Sequence, residues 1–349
     1  MFLIFLLGLF VVYAQAEDKC TTPNNENALC IPLESCPVLN SVKDDPKSYA
    51  FIVQSACGNK LDTTLVCCGT LSNFAEGENT FVDEDVCGFQ HSDDYKHTEN
   101  KPVLTESPWL ALIAYKDKQG TTLPINTRYK CSGSLIGKKH ILTSAECLTL
   151  KDVIPSHVRL GEYDTANKTD CFEESNVLEC SDAVRDYAIK QIIVHPDYDE
   201  KHRKNNIGLI RLDKTVLYSD YIRPICLSSP DKTKAQVGDT LVSSSWQKRV
   251  ESDTETKIIT SRTLITNEVC RTYYKTDDVL FDGVMCGHPK ESNNGLCYGN
   301  LGSPILFSHK WRWHQEGILS HRERCGFLFP EVYTRVEYYL DWIKEKVES

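Results

Sequence analysis

Sixteen cysteines constrain this chain of 349 residues more than any other feature. The count is even, so every one can be paired. No Cys-x-x-Cys pair offers the usual zinc ligation. Cysteines at this density point to disulfides formed in an oxidising compartment. The start of the chain agrees. Residues 1–16 are an apolar run ending in Ala14-Gln15-Ala16, a small-x-small cleavage pattern. They read as a signal peptide cut after Ala16, too short for a stable anchor, and no later segment is long and apolar enough to span a bilayer. The net charge of −10 makes nucleic acid a poor partner.

The cysteines are not spread evenly. Cys20, Cys30, Cys36, Cys57 and the adjacent pair Cys67-Cys68 fall in residues 17–68. So short a stretch buries little core, and disulfides must hold it, at about 2–5 kcal/mol each. Six cysteines allow many connectivities, and spacing alone does not choose among them. Residues 69–100 are polar and acidic, with Asp83, Glu84, Asp85, Asp93 and Asp94, and read as a linker.

From residue 101 to residue 349 the pattern becomes short apolar runs between turns. They are Trp109–Tyr115, Ser134–Thr143, Lys190–His195, Ile207–Leu212, Leu241–Ser245, Pro304–Phe307, Glu316–Ser320 and Glu331–Thr334. Many short strands at this spacing mean an all-β sandwich or barrel. Arg335–Val347 places Val336, Tyr339, Leu340 and Ile343 at helical spacing and reads as a closing helix. Asn167-Lys168-Thr169 is a glycosylation sequon in a polar stretch.

Residues 297–304 read Cys297-Tyr298-Gly299-Asn300-Leu301-Gly302-Ser303-Pro304. This resembles the nucleophile loop of trypsin-like serine proteases, Cys-x-Gly-Asp-Ser-Gly-Gly-Pro. Other segments sit in that family's order: Pro108-Trp109, Cys131 to Ile136, Leu142 to Ala145, Arg159 to Asp164, Val194-His195-Pro196 and Pro330 to Val336. The resemblance implies two six-stranded antiparallel β-barrels and a C-terminal helix. The spaced cysteines with a terminal Cys67-Cys68 are similar to the clip domain of arthropod protease cascades. Together they imply the pairings Cys20–Cys67, Cys30–Cys57, Cys36–Cys68, Cys87–Cys226, Cys131–Cys147, Cys171–Cys180, Cys270–Cys286 and Cys297–Cys325.

The chemistry of that family needs a serine nucleophile, a histidine base and a buried aspartate. The matching places hold Leu301, Glu146 and Asn206. Leucine has no atom that attacks a carbonyl, and losses within such a triad are severe. Ser303, two places on, has no histidine in family context to activate it. His140 falls on an expected strand and His195 in a surface turn. The backbone N–H groups of Gly299 and Leu301 hold the family's oxyanion-hole places.

The family's specificity pocket is altered too. Its base is Gly295, and its walls carry Arg322 and Glu331 where the family has glycine. Glycine serves where no side chain fits, so Arg322 and Glu331 are expected to intrude and to pair across the pocket. No Ile-Val-Gly-Gly exists for activation, and Asn300 stands where an aspartate would receive the new terminus. Lys96 in the polar linker still suits cleavage by a trypsin-like protease, leaving His97 as the new terminus. Glu162 lies where some relatives bind calcium, but the acids of this loop read as a solvated turn, and no cofactor is expected.

The resemblance therefore implies a secreted, inactive clip-domain protease homologue of haemolymph. Its expected role is cofactor or regulator of an immune protease cascade, such as prophenoloxidase activation or melanisation. Its expected partners are other clip-domain proteases, their homologues or prophenoloxidase, with no membrane partner. The competing reading is a divergent active endopeptidase, which needs Glu146 or Ser303 in an unfamiliar role. A decoy for protease inhibitors is disfavoured by the filled pocket.

Overall fold

A computed structural model describes residues 19–22, 27–41, 43, 52–53, 55–60, 63–69, 86–90, 102–174, 177–229, 235–248, 254–274, 280–290, 299–309, 312–322 and 328–348. The chain divides into two compact units, Met1–Gly77 and Glu78–Ser349.

The first unit is a four-stranded sheet in the order β1-β2-β4-β3. Its strands are β1 (Lys19–Thr21), β2 (Asn27–Pro32), β3 (Ala56–Lys60) and β4 (Thr63–Cys68). The apolar centre is small: Cys36, Val38, Leu39 and Val66, with Ile31, Leu33 and Ile52 against them. Three disulfides, Cys20–Cys67, Cys30–Cys57 and Cys36–Cys68, stitch through it. They constrain the unfolded chain where the core is too small to do so alone.

The second unit holds two closed barrels. The first closes in the order β11-β12-β7-β6-β5-β8. Its strands are β5 (Leu110–Asp117), β6 (Tyr129–Leu135), β7 (His140–Thr143), β8 (Val153–Leu160), β11 (Arg185–Val194) and β12 (Gly208–Leu212). All six are antiparallel to their neighbours. Leu110 to Tyr115 of β5 are all buried, which is why that stretch is a continuous apolar run.

The second barrel uses β14 (Thr240–Lys248), β15 (Glu255–Ile265), β16 (Val284–Pro289), β17 (Pro304–His309), β18 (Arg312–His321) and β19 (Glu331–Arg335). Strand β19 pairs with both β16 and β18 and so closes the ring. The two-residue strand β13 (Cys226–Leu227) adds in parallel to β18. A hairpin of β9 (Cys171–Glu174) and β10 (Val177–Cys180) stands apart from both barrels and is closed by Cys171–Cys180.

The sequence run Ser134–Thr143 is not one strand. It contains the end of β6, a turn, and β7. The expected closing helix begins as a 3-10 turn, Val336–Tyr339, and becomes α-helical over Leu340–Glu348. It buries Val336, Tyr339, Ile343 and Val347, with Leu340 only half-buried. Disulfides Cys87–Cys226, Cys131–Cys147 and Cys270–Cys286 fasten this unit. The pairing of Cys297 with Cys325 lies outside the described residues, as do Gly295, Lys96 and His97. Among the described residues no helix is long and apolar enough to cross a membrane.

Candidate functional site

The first barrel brings Glu146 to the cleft on a one-turn helix, Ala145–Leu148. Ser144 caps that turn by accepting the Cys147 amide through Oγ at 3.4 Å. Asn206 is fully buried just before β12. Its Oδ1 accepts the Glu146 backbone N–H at 2.9 Å, and its Nδ2 donates to Ser320 Oγ at 2.9 Å. Asn206 is thus a structural tie between the two barrels. An amide serves this tie as well as a carboxylate, because it supplies one acceptor and one donor.

Leu301 arrives from the second barrel. It packs against the cores of both barrels. Its carbonyl accepts the Ser132 N–H at 3.0 Å, beside the Cys131–Cys147 disulfide. Glu146, Asn206 and Leu301 therefore gather in one place. What they offer there is one carboxylate, one amide and one hydrocarbon side chain.

That carboxylate has a cation beside it, without a hydrogen bond to Oε2 among the described residues. The cation is Arg203, at φ 53°. Its Nη1 lies 3.6 Å from Glu146 Oε2 and donates to His321 Nδ1 at 2.7 Å and to the Ser320 carbonyl at 3.4 Å. Burial first, and the Arg203 charge second, push the His321 imidazole down to about 4. His321 is thereby kept neutral, with Nδ1 as acceptor. The residue run identified Glu146 but gave no signal for Arg203, which belongs to no motif.

Arg322 and Glu331, the two residues expected at the pocket walls, meet in the structure. Arg322 Nη2 donates to the Gly299 carbonyl at 2.7 Å, and its Nε lies 3.9 Å from Glu331 Oε1. The principal partner of Glu331 is another residue. Arg262 Nε donates to Glu331 Oε2 at 2.7 Å, and the Tyr333 hydroxyl donates to the same oxygen at 2.6 Å. Glu331 is 8% exposed and Arg262 4%. Burial alone would raise the Glu331 carboxyl; Arg262 and then Arg322 hold it below the usual range. Arg262 escaped the sequence reading because β15 shows no strand-like run.

Ser303 is fully buried. Its Oγ lies 2.7 Å from Ser132 Oγ and 2.6 Å from Ser245 Oγ, and it donates to the Asn300 carbonyl at 2.6 Å. Asn300 is held in turn: its N–H donates to Ser245 Oγ at 2.8 Å and its Nδ2 to Glu255 Oε2 at 3.3 Å. Ser303 is a packing and bonding centre inside the loop, its hydroxyl set among two serine hydroxyls and a backbone carbonyl. Gly302, at φ 81°, is required: a Cβ there would lie 2.3 Å from the Ser132 carbonyl oxygen and from Thr143 Oγ1.

Elsewhere, Ser156, His157 and Asp186 stand in a row on the first barrel. Ser156 Oγ is 3.1 Å from His157 Nδ1, but its proton goes to the Ala114 carbonyl. Asp186 is 3.8 Å from His157 Nε2 and is held by two bonds from Arg159. The row is not a proton relay. His140 lies on β7, buried, with its imidazole pushed down to about 4 by burial, Arg211 and Lys139. His195 packs edge-on against Tyr339. Neither joins the cleft residues.

In the Glu162 loop the carboxylate oxygens already have protein partners. Glu162 Oε1 accepts the Tyr163 N–H at 2.9 Å, and Oε2 meets Arg159 Nη1 at 3.3 Å. Burial pushes this carboxyl up to about 7. A calcium site needs six to eight oxygens without a cation among them. Arg159 stands on Glu162 Oε2, and among the described residues no cluster of metal-ligating side chains is found.

Two closed antiparallel barrels, a cleft carrying Glu146, Asn206 and Leu301, and a separate disulfide-held unit define a protease-type scaffold with a small N-terminal module. The comparisons agree. Residues 99–343 match the Trypsin family, and residues 20–68 match the regulatory CLIP domain of proteinases. The chain belongs to the trypsin family and carries a clip domain. Phenoloxidase-activating factor 3 of Holotrichia diomphalia is 32% identical, covering 97% of this chain and 96% of its own. Serine protease ea of Drosophila melanogaster is 31% identical over 95% of this chain and 91% of its own. The crystal structure of the Drosophila Grass clip serine protease of the Toll pathway superposes with a TM-score of 0.64 at 24% identity, covering 95% of this chain and 97% of that one, a likeness of fold.

Proposed function

We propose that this protein is a secreted clip-domain protease homologue without peptidase activity, acting as a cofactor or regulator in a haemolymph protease cascade. The observation that carries the reading is Leu301 at the nucleophile place, next to a Glu146 whose Oε2 lies 3.6 Å from Arg203 Nη1. No carbonyl can be attacked by a hydrocarbon side chain, and the nearby serine, Ser303, is buried and bonded. Two further features support it. Arg322 and Glu331, at the wall places of the family's specificity pocket, are joined with Arg262 in one buried charged cluster. Arg203 also reaches the Ser320 carbonyl, at 3.4 Å, next to the hydroxyl that Asn206 binds.

The relatives include proteins named for phenoloxidase activation. On that basis the partners are other clip-domain proteases, their homologues or prophenoloxidase. A rigid two-barrel scaffold with many loops suits such contacts. The disulfides, among the described residues alone, fit secretion.

The test has two arms. A serine-reactive fluorophosphonate probe is expected to leave the protein unlabelled while labelling trypsin beside it. Covalent labelling, or hydrolysis of Arg- or Lys-containing peptides, would restore the enzyme reading. Depleting the protein from haemolymph is expected to change phenoloxidase output after microbial challenge, and adding it back should restore the original level. Unchanged output on depletion would remove the regulatory role.

A further inference from the structure

The second barrel and the loop between β8 and the β9–β10 hairpin are clasped together. Thr165 N–H donates to the Glu255 carbonyl at 3.0 Å, and Glu255 N–H donates to Thr165 Oγ1 at 2.8 Å. The Lys257 N–H donates to the Tyr163 carbonyl at 2.8 Å, and the Tyr163 hydroxyl to the Pro102 carbonyl at 3.0 Å. On this fixed base the chain turns outward: the Asn167 N–H donates to the Asp164 carbonyl at 2.9 Å, and Asn167, Lys168 and Thr169 are all exposed. Asp170 then turns back inward, pairing with Ser181 through both backbone and hydroxyl bonds.

We propose that Asn167 carries an N-linked oligosaccharide, and that this glycan shields the neighbouring Lys168 from trypsin-like proteases. Asn167-Lys168-Thr169 meets the acceptor pattern, with no proline between. The exposed asparagine, standing on a turn rather than in a strand, leaves room for a bulky hydrophilic group. Its one side-chain bond, Nδ2 to Asp170 Oδ1 at 3.2 Å, survives modification. A primary amide has two N–H groups. In the transfer, Nδ2 attacks C1 of a lipid-pyrophosphate-linked oligosaccharide. The C1–O bond to pyrophosphate breaks, the lipid pyrophosphate leaves, and Nδ2 loses one proton to a base of the transferring enzyme. The second N–H stays and still reaches Asp170.

Lys168 gives the glycan a consequence. It is an exposed basic residue at a loop tip, the kind of position proteases nick. Its carbonyl, the one a cut after Lys168 attacks, accepts the Val184 N–H at 2.9 Å, so that bond must open before a protease takes the loop. A protein working among trypsin-like enzymes keeps such a loop intact if a glycan stands one residue away.

This inference rests on the secretory reading, and the experiment separates the two. The full chain is expressed in insect cells, and its mass is measured from the medium and from the cell pellet. A heavier species in the medium, collapsed to the peptide mass by a glycan-releasing amidase that leaves aspartate at 167, is the expected result. T169A, which keeps Asn167 and Asp170, should lose the added mass; T169S should keep it. Brief trypsin treatment should cut after Lys168 in T169A but not in the glycosylated chain. Secretion at the bare peptide mass overturns the glycan alone. Retention in the cell with reduced cysteines overturns the secretory reading and the glycan with it. Equal cutting after Lys168 in both forms overturns the shielding.

Discussion

Glu331 ties three side chains into one buried cluster. Its two oxygens are shared among Arg262, Arg322 and Tyr333. A buried ion pair contributes little net stability against a well-packed apolar alternative, but removing one partner leaves an uncompensated charge. Glu331→Gln keeps the volume and removes the charge, leaving two arginines inside. It should lower unfolding free energy by about 3–5 kcal/mol in urea titrations. A loss below about 1 kcal/mol would mean that water already compensates the cluster.

A second carboxylate predicts pH dependence. Glu316 is buried on β18, and burial pushes it up to about 7 despite bonds from the Ser228 hydroxyl and the Ala235 amide. In the unfolded chain a glutamate titrates near 4.3. Between those values the folded state holds a proton that the unfolded state has released. Unfolding then releases protons, so stability falls as pH rises from about 4.5 to 7. Glu316→Gln should flatten that slope in urea titrations at several pH values. Glu162, also pushed up to about 7, keeps part of it. A slope unchanged by Glu316→Gln would place the proton elsewhere.

At the scale of elements, β15 explains much of what the sequence concealed. Lys257 and Arg262 are each 4% exposed, so a strand whose buried positions include charges carries no apolar alternation. Strand β8 is masked in the same way by its half-buried polar residues. The strands with apolar runs, such as β5, β12, β17 and β19, were legible. The cleft was legible where it falls on motifs, at Glu146, Asn206, Leu301, Arg322 and Glu331. It was not legible at Arg203 and Arg262, which reach the site only through folding.

That division decides how the cleft would respond to repair. Glu146→His, Asn206→Asp and Leu301→Ser together restore the residue types of a triad. They leave Arg203 on the Ser320 carbonyl and Arg322 on the Gly299 carbonyl. The triple variant should show no hydrolysis of arginyl or lysyl peptide substrates above the parent chain. Any gain should require opening the pocket as well, with Arg322→Gly and Glu331→Gly. Activity in the triple variant alone would show that the arginines yield to substrate.

For the whole molecule, the decisive link is the one between Cys87 and Cys226, which joins positions 139 residues apart. The segment around it is seated tightly. Gly88 N–H donates to the Pro224 carbonyl and accepts the Trp313 N–H through its own carbonyl, each at 2.8 Å. At φ 72° a Cβ on Gly88 would lie 2.3 Å from the Trp313 carbonyl oxygen, so only glycine fits there. Arg312 stacks over Phe89 with its guanidinium carbon 4.7 Å from the ring centroid. If a trypsin-like protease cuts after Lys96, everything before the cut stays covalently attached through this one disulfide. Residues 86–90 are further seated by the two backbone bonds, the Ser107 N–H to Gln90 Oε1 bond at 3.3 Å and the cation–π contact, each worth about 1 kcal/mol. The cut protein should therefore migrate as one species until reduced and as two afterwards. Cys226→Ser, once cut, should release the N-terminal piece on gel filtration without denaturant. Co-elution of that cut variant would show a surface between the pieces that outweighs the disulfide, and would shift attention from the covalent link to that surface.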